Sequence, residues 1–145
     1  VRQEDDRRDG EDLGPEHFGW FAAPKFHQHP GKPLRIAALA PCCGVRDIAI
    51  RALTSEGIEW NEVFVGGGHA AVMAAVSAGL AVAAFSCRLA PADTIEVGRR
   101  LGLPELPSSR ITLHSTLTDR RSRDALRTLV AAYREHRAPK NAGAE

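Results

Sequence analysis

Ten residues in this chain combine types and spacings that could do chemistry. Cys42, Cys43, Gly44 and Arg46 sit at one break in the apolar pattern, and Gly66, Gly67, Gly68 and His69 sit at another. Phe85 and Ser86 close a third apolar run. Each of the first two groups stands just ahead of a stretch with helical period. Helix starts leave backbone N–H groups without partners and carry the positive end of the helix dipole. A thiolate at Cys42 or Cys43 would be stabilised there. A carboxylate or phosphate could be held by the N–H groups after the three glycines, with no specific side chain needed. His69 could add a hydrogen bond, or a charge when protonated. Arg46, in the first helical turn, could reach an anion in the same cleft.

Each of these features also has a plain structural reading. The cysteines can be small apolar residues filling a turn. The glycines can make an ordinary tight turn, and Arg46 can be a solvated surface arginine. The triplet matches neither GxGxxG nor GxxxxGK[ST], so no nucleotide signature is present. The histidines His17, His27, His29, His69, His114 and His136 lack the spacing of a structural zinc site. No metal and no cofactor is expected.

The elements that must position these groups follow from the apolar pattern. Phe18 to Ala23 reads as a strand ended by Pro24, and Lys25 to Pro33 as a loop. Leu34 to Leu39 is a second strand. Val45, Ile48, Ala49, Ala52 and Leu53 follow helical spacing, and Gly57 ends that helix. Val63 to Val65 belong to a buried strand, with Gly66 to Gly68 turning the backbone freely. Val72, Met73 and Val76 share a helical face, Gly79 suits a left-handed stop, and Leu80 to Phe85 is another apolar run. Residues 34–65 and 60–85 thus form two βαβ units sharing a strand, which predicts an α/β fold with a mostly parallel sheet flanked by helices. Such units bind small ligands outside the carboxyl ends of their strands.

Further along, Ile95 and Val97 suggest a short edge strand. Ile111 to Leu117 reads as a strand containing His114, and Thr118 or Asp119 as the cap of a last helix. Ala125, Leu126, Leu129, Val130 and Tyr133 give that helix an apolar stripe. Arg120, Arg121 and Arg123 crowd its first turn and read as a solvated face. Residues 1–12 are charged and read as a lead-in or a surface hairpin, 13–137 as one domain, and 138–145 as a tail.

Composition bounds the function. The 145 residues include 43% hydrophobic side chains and carry a formal net charge of +1. That is enough apolar material for a core, and the charge speaks against a strongly electrostatic nucleic-acid footprint, which needs a concentrated basic face. No apolar run nears the ~20 residues that span a bilayer. Three cysteines, two of them adjacent, make a poor disulfide framework, so a reducing cytoplasm is expected. The chain opens on Val1 and its one methionine is Met73, as expected of a piece of a longer protein.

The order of these features resembles the effector-binding domain of LysR-type transcriptional regulators. The resemblance rests on Cys43-Gly44-Val45-Arg46, on IAIRALTSEGI from Ile48 to Ile58 with Trp60, and on AVMAAVSAGLAV from Ala71 to Val82. Leu89, LGLPELP from Leu101 to Pro107, the strand ITLHSTL and FGWFAAP from Phe18 to Pro24 extend it. It covers most of residues 13–137 and implies a type 2 periplasmic-binding-protein-like lobe. It further implies a small anionic effector held by Cys42 to Arg46, Gly66 to His69, and Phe85 with Ser86. The family's winged helix-turn-helix and most of its first lobe lie outside this chain. DNA would be bound through that missing domain alone, in a homodimer or tetramer, with no membrane contact. Ala81 and Ser86 depart from the glycine and proline common in the family. Two other readings remain: a small enzyme using Cys42 or Cys43, and a dimerisation module pairing through an exposed sheet edge.

Overall fold

The computed structural model describes residues 10–41 and 43–135. Cys42, His136 and the 138–145 tail lie outside them, as do the first nine residues of the charged lead-in. His17–Ser108 form one compact unit, and the segments on either side of it form a second.

The larger unit is built on strands β2 (Phe18–Ala22), β3 (Leu34–Leu39), β4 (Trp60–Gly66), β5 (Ala83–Ser86) and β6 (Ile95–Glu96). Its helices are α1 (Gly44–Ser55), α2 (His69–Ser77) and α3 (Gly98–Leu101). β3 and β4 pair in parallel from Leu34↔Trp60 to Leu39↔Gly66. On the other side of β3, a parallel bridge joins Ile36 to Val82, just before β5. The backbone of Val82 donates to Arg35 O at 2.9 Å, and Ala37 N donates to Val82 O at 2.8 Å. β2 then runs antiparallel to both β5 and β6. The expected parallel arrangement therefore holds for β3, β4 and the start of β5, while β2 adds antiparallel pairs. β4 and β5 flank β3 and do not pair with each other, so the second βαβ unit crosses over the first strand.

Period-two alternation explains the two cores. In β2, Trp20 and Ala22 face one layer with Leu34, Ile36, Val82, and Ala49 and Leu53 of α1. Phe21 faces the opposite layer with Ala37, Ala83, Phe85, and Val72, Ala75 and Val76 of α2. The sheet is thus covered on both faces over β2, β3 and β5, whose sequences read as apolar runs for that reason. β4 is not the buried strand expected: Val63 is 36% and Val65 51% exposed, because β4 pairs with β3 alone among the described strands. Trp20 is 2% exposed, and its indole Nε1 donates to Pro104 O at 2.8 Å. Gly57 and Gly79, with φ of 64° and 77°, make the left-handed stops expected after α1 and α2.

β4 carries a bulge that the residue pattern does not reveal. Glu62 pairs with Ile36, yet Phe64 pairs with the next residue, Ala37. Val63 is the extra residue. Trp60 consequently packs in the α1 layer and Phe64 in the α2 layer.

In the smaller unit, β1 (Glu11–Glu16) pairs antiparallel with β7 (Ser109–Leu113), and α4 (Arg120–Glu135) follows. β1 has no apolar alternation, because Gly14 (φ 99°) and Pro15 sit inside it and the register slips between Asp12 and Gly14. β7 ends at Leu113, so His114 lies past the strand and not within it. Asp119 caps α4, accepting Ser122 N at Oδ1 (2.8 Å). Of the expected stripe only Val130 is buried, with Leu13 and Ile111, and Tyr133 packs beside them. Leu129 is 64% exposed, since a two-stranded sheet offers little surface to cover the helix. Val97, expected on an edge strand, is instead fully buried at the start of α3.

Candidate functional site

The topology of the larger unit fixes where its loops converge. α1 leaves the carboxyl end of β3 toward one layer, and α2 leaves the carboxyl end of the adjacent β4 toward the other. Neighbouring strands whose connections diverge to opposite faces open a crevice outside their carboxyl ends. Ala40 N donates to Gly66 O at 3.2 Å and ties the two ends together. Both helices begin within a few residues of this tie. Cys43 is the N-cap of α1 and Gly68 that of α2, and neither provides a side-chain cap. The first N–H groups of both helices therefore have no acceptor within their own helix.

The three glycines have different roles. None has positive φ, so left-handed turning is not what they provide. A Cβ on Gly66 would lie 2.9 Å from Val72 Cγ2 and 3.1 Å from Phe64 Cε1. Gly66 is needed because α2 closes onto the end of β4. A Cβ on Gly67 or Gly68 would meet nothing within 4 Å. These two present open backbone in front of α2.

His69, the first residue of α2, stands edge-on to the buried Phe85 ring, with centroids 5.1 Å apart and planes at 73°. Its Nε2 lies 3.4 Å from Leu89 O. A carbonyl only accepts, so this contact requires the proton on Nε2, leaving Nδ1 as the acceptor of the neutral ring. Phe85 also meets Phe21 at 6.3 Å. Ser86 is buried, and its Oγ accepts Arg88 N at 3.3 Å. The segment after β5 is strapped to both ends of α2, by His69 to Leu89 and by Ser77 Oγ donating to Asp93 Oδ1 at 2.9 Å. Leu89, Ser77 and Asp93 escape sequence reading, because a carbonyl contact and a loop carboxylate leave no periodic trace.

Arg46 is engaged within the fold. Its Nε and Nη2 donate to the two carboxylate oxygens of Glu62 at 2.8 and 3.1 Å. Glu62 holds the Arg46 guanidinium above its ordinary pKa. The pair follows from the register, which sets Glu62 opposite Ile36 and on the α1 side of β4 with Trp60. Glu62, a lone charge at the parity of Trp60 within an apolar strand, was the signal available for it. Cys43 is half-buried and Cys87 exposed, and neither is in a disulfide. Among the described residues, no group of three His, Cys, Asp or Glu is placed to hold a metal, and no helix is long and apolar enough to cross a membrane.

The fold is of the type 2 periplasmic-binding-protein-like class, an α/β unit that the chain enters at residue 17 and leaves at 108. The family model of the LysR substrate binding domain matches residues 2–138, and the chain belongs to that family. The HTH-type transcriptional regulator PecT of Dickeya dadantii (strain 3937) is 31% identical over 94 residues, 65% of this chain and 30% of PecT. The chain thus spans under a third of that regulator's length. Among solved structures, the CcmR regulatory domain of Synechocystis PCC6803 in complex with 2-PG superposes with a TM-score of 0.59 at 12% identity. The match covers 99% of this chain and 74% of that one. The regulatory domain of the HypT M206Q mutant from Salmonella typhimurium gives 0.61 at 9% identity, over 87% and 66%. At these identities the likeness is one of fold.

Proposed function

We propose that this chain is the effector-sensing part of a LysR-type regulator, and that it takes a small anion at the carboxyl ends of β3 and β4. The observation that carries this is the pair of helix starts, α1 and α2, brought side by side by the Leu39↔Gly66 pairing with no side-chain cap on either. Two positive dipole ends with open N–H groups suit a carboxylate or a phosphate. Gly67 and Gly68 leave room for it, and the backbone N–H of His69, in the first turn of α2, lies beside them. Gly44, Phe85 and Ser86 border the same strand ends, and Cys43 is the N-cap of α1. Arg46 acts through Glu62, holding α1 against β4. The 2-PG found with CcmR supports a small-molecule ligand. The role is binding and not catalysis. A DNA-binding segment and a homo-oligomeric assembly belong to the whole regulator, which works in the cytoplasm. There the effector shifts an equilibrium by its differential affinity for two states.

The test pairs a ligand screen with Gly68→Asp. Small carboxylates and inorganic phosphate are titrated while the melting temperature is followed. A ligand at 100 times its Kd stabilises by about 2.7 kcal/mol. Gly68→Asp places a carboxylate where the anion would sit and caps α2. It is expected to raise the melting temperature without ligand, by roughly a few tenths of a kcal/mol of stability, and to abolish the ligand response. A Gly68→Asp protein that still responds, or a native protein that responds to no anion, would sink the proposal.

A further inference from the structure

The net charge of +1 hides a sharply uneven distribution. From His17 to Arg46 the sequence has no aspartate or glutamate, while it holds Lys25, Lys32 and Arg35 with His27 and His29. The fold adds two more cations to this stretch from far along the chain. Arg100, on α3, donates from Nη1 to Pro24 O at 3.3 Å and from Nη2 to Phe26 O at 3.4 Å. Arg99 is its exposed neighbour. The nearest acid by backbone pairing is Glu59, whose carbonyl accepts Leu34 N at 2.8 Å. The exposed Glu96 accepts Gly98 N at 2.8 Å and Trp20 N at 3.4 Å on one carboxylate oxygen, Oε1.

The loop that carries these charges is rigidly built. Phe26 is buried, at 3% exposure, and anchors it. Arg35 lies over the Phe26 ring at 4.9 Å and donates to His27 O at 3.2 Å. Gln28 Nε2 reaches three carbonyls, of His29, Lys32 and Pro33, the shortest at 2.7 Å. Both guanidiniums are thus fixed on neutral carbonyls, which orient them without cancelling their charge. Lys25, His27, His29 and Lys32 are exposed on this frame.

We infer that the Lys25–Arg35 loop, with Arg99 and Arg100, is a preorganised cationic surface that contacts the phosphate backbone of duplex nucleic acid without reading its sequence. The alternative anionic partner, an acidic protein, fits less well. Protein interfaces centre on apolar or aromatic anchors and are poor in lysine. None of the exposed large apolar side chains of the described residues lies within 23–36 or 97–102. Phosphate contact needs only the cations. The inference goes beyond effector sensing, and it concerns the amino-terminal end of β3, opposite to the end where the anion site lies.

The experiment uses this chain and a short fluorescent duplex of arbitrary sequence, with affinity measured by anisotropy against NaCl. Five full charges, if all engaged, give a log–log slope near −4.5, a loss of roughly 500-fold between roughly 50 and 200 mM salt. Lys25→Gln with Lys32→Gln removes two of them and should lower the slope to about −2.7, a loss of roughly 40-fold over the same range. Circular dichroism of the double variant should match the native chain, as both lysines are exposed. Polyglutamate is the competing arm. No binding at the lowest salt, a slope unchanged in the double variant, or displacement by polyglutamate as effective as by unlabelled duplex would each overturn the inference. Because the duplex assay contains no small effector, its failure leaves the Gly68→Asp test standing on its own.

Discussion

Gly66→Ala and Gly67→Ala are chemically the same substitution one residue apart, and the structure assigns them opposite outcomes. Neither glycine has positive φ, so backbone strain contributes to neither. At Gly66 the new methyl would sit 2.9 Å from Val72 Cγ2, 3.1 Å from Phe64 Cε1 and 3.3 Å from Ala71 Cβ. Ordinary contacts between such atoms are near 3.5–4.0 Å. Val72 cannot rotate away, because a β-branched residue in a helix has one strongly preferred rotamer. Relief requires α2 to move off β4 by several tenths of an ångström. Overpacking of this kind costs about 1–3 kcal/mol. With a urea m-value of about 2 kcal/mol/M, the midpoint should fall by roughly 0.5–1.5 M. At Gly67 the methyl meets nothing. The loss of unfolded-state freedom should then leave stability unchanged or raise it by up to about 1 kcal/mol. Urea unfolding of the two variants and the native chain decides the matter. Equal destabilisation by both, or a silent Gly66→Ala, would refute the packing argument and with it the account of how α2 is seated.

Three further outcomes follow from the structure. Arg46→Ala and Glu62→Ala should each destabilise, and a double-mutant cycle should return a coupling of about 1–2 kcal/mol, since both side chains are only about one-fifth exposed and the bond is charge-assisted. A coupling near zero by urea denaturation would contradict the bidentate geometry. The Arg46 guanidinium is held above its ordinary pKa, so its contribution is complete below the ordinary value and lost as pH rises through the raised one, and its protonation adds no pH dependence between about pH 5 and 10. Asp119 behaves in the opposite sense: Ser122 N–H holds its carboxyl below the ordinary 3.8. Its contribution is therefore present above that value and lost as pH falls through the lowered one. Helicity measured by circular dichroism should drop in that window in the native chain, and Asp119→Asn should remove this component of the drop while keeping a cap. Trp20→Phe leaves Pro104 O without its indole donor and should cost about 1–3 kcal/mol, with loss of the blue-shifted component of tryptophan emission.

The strands and helices of the larger unit were legible because both faces of its sheet are buried over β2, β3 and β5. Phe18 to Ala23, Leu34 to Leu39 and the helix over Val45 to Leu53 each carry enough apolar residues to declare themselves, and Gly57 and Gly79 mark the stops. β1 was not legible, since EDLGPE has a glycine at a register slip and a proline within it. The antiparallel entry of β2 was equally hidden, because an apolar run does not state which neighbour it joins. At the candidate site, the glycines were visible but their division of labour was not. Only the approach of Val72 separates Gly66 from Gly67 and Gly68. Arg46 was visible as a charge near a helix start, and its partner Glu62, sixteen positions away, depended on which face of β4 meets α1.

The bulge at Val63 makes β4 a strand with two phases. Upstream of Val63 its alternation is set by the layer that holds α1, and downstream by the layer that holds α2. The two halves are therefore free to change independently in composition. Deleting Val63 would make Glu62 and Phe64 consecutive opposite the consecutive Ile36 and Ala37, removing the bulge while leaving each neighbouring side chain on its present face. Val63 is thus a residue whose loss turns no neighbour over, whereas a point substitution there leaves the extra residue, and the bulge, in place.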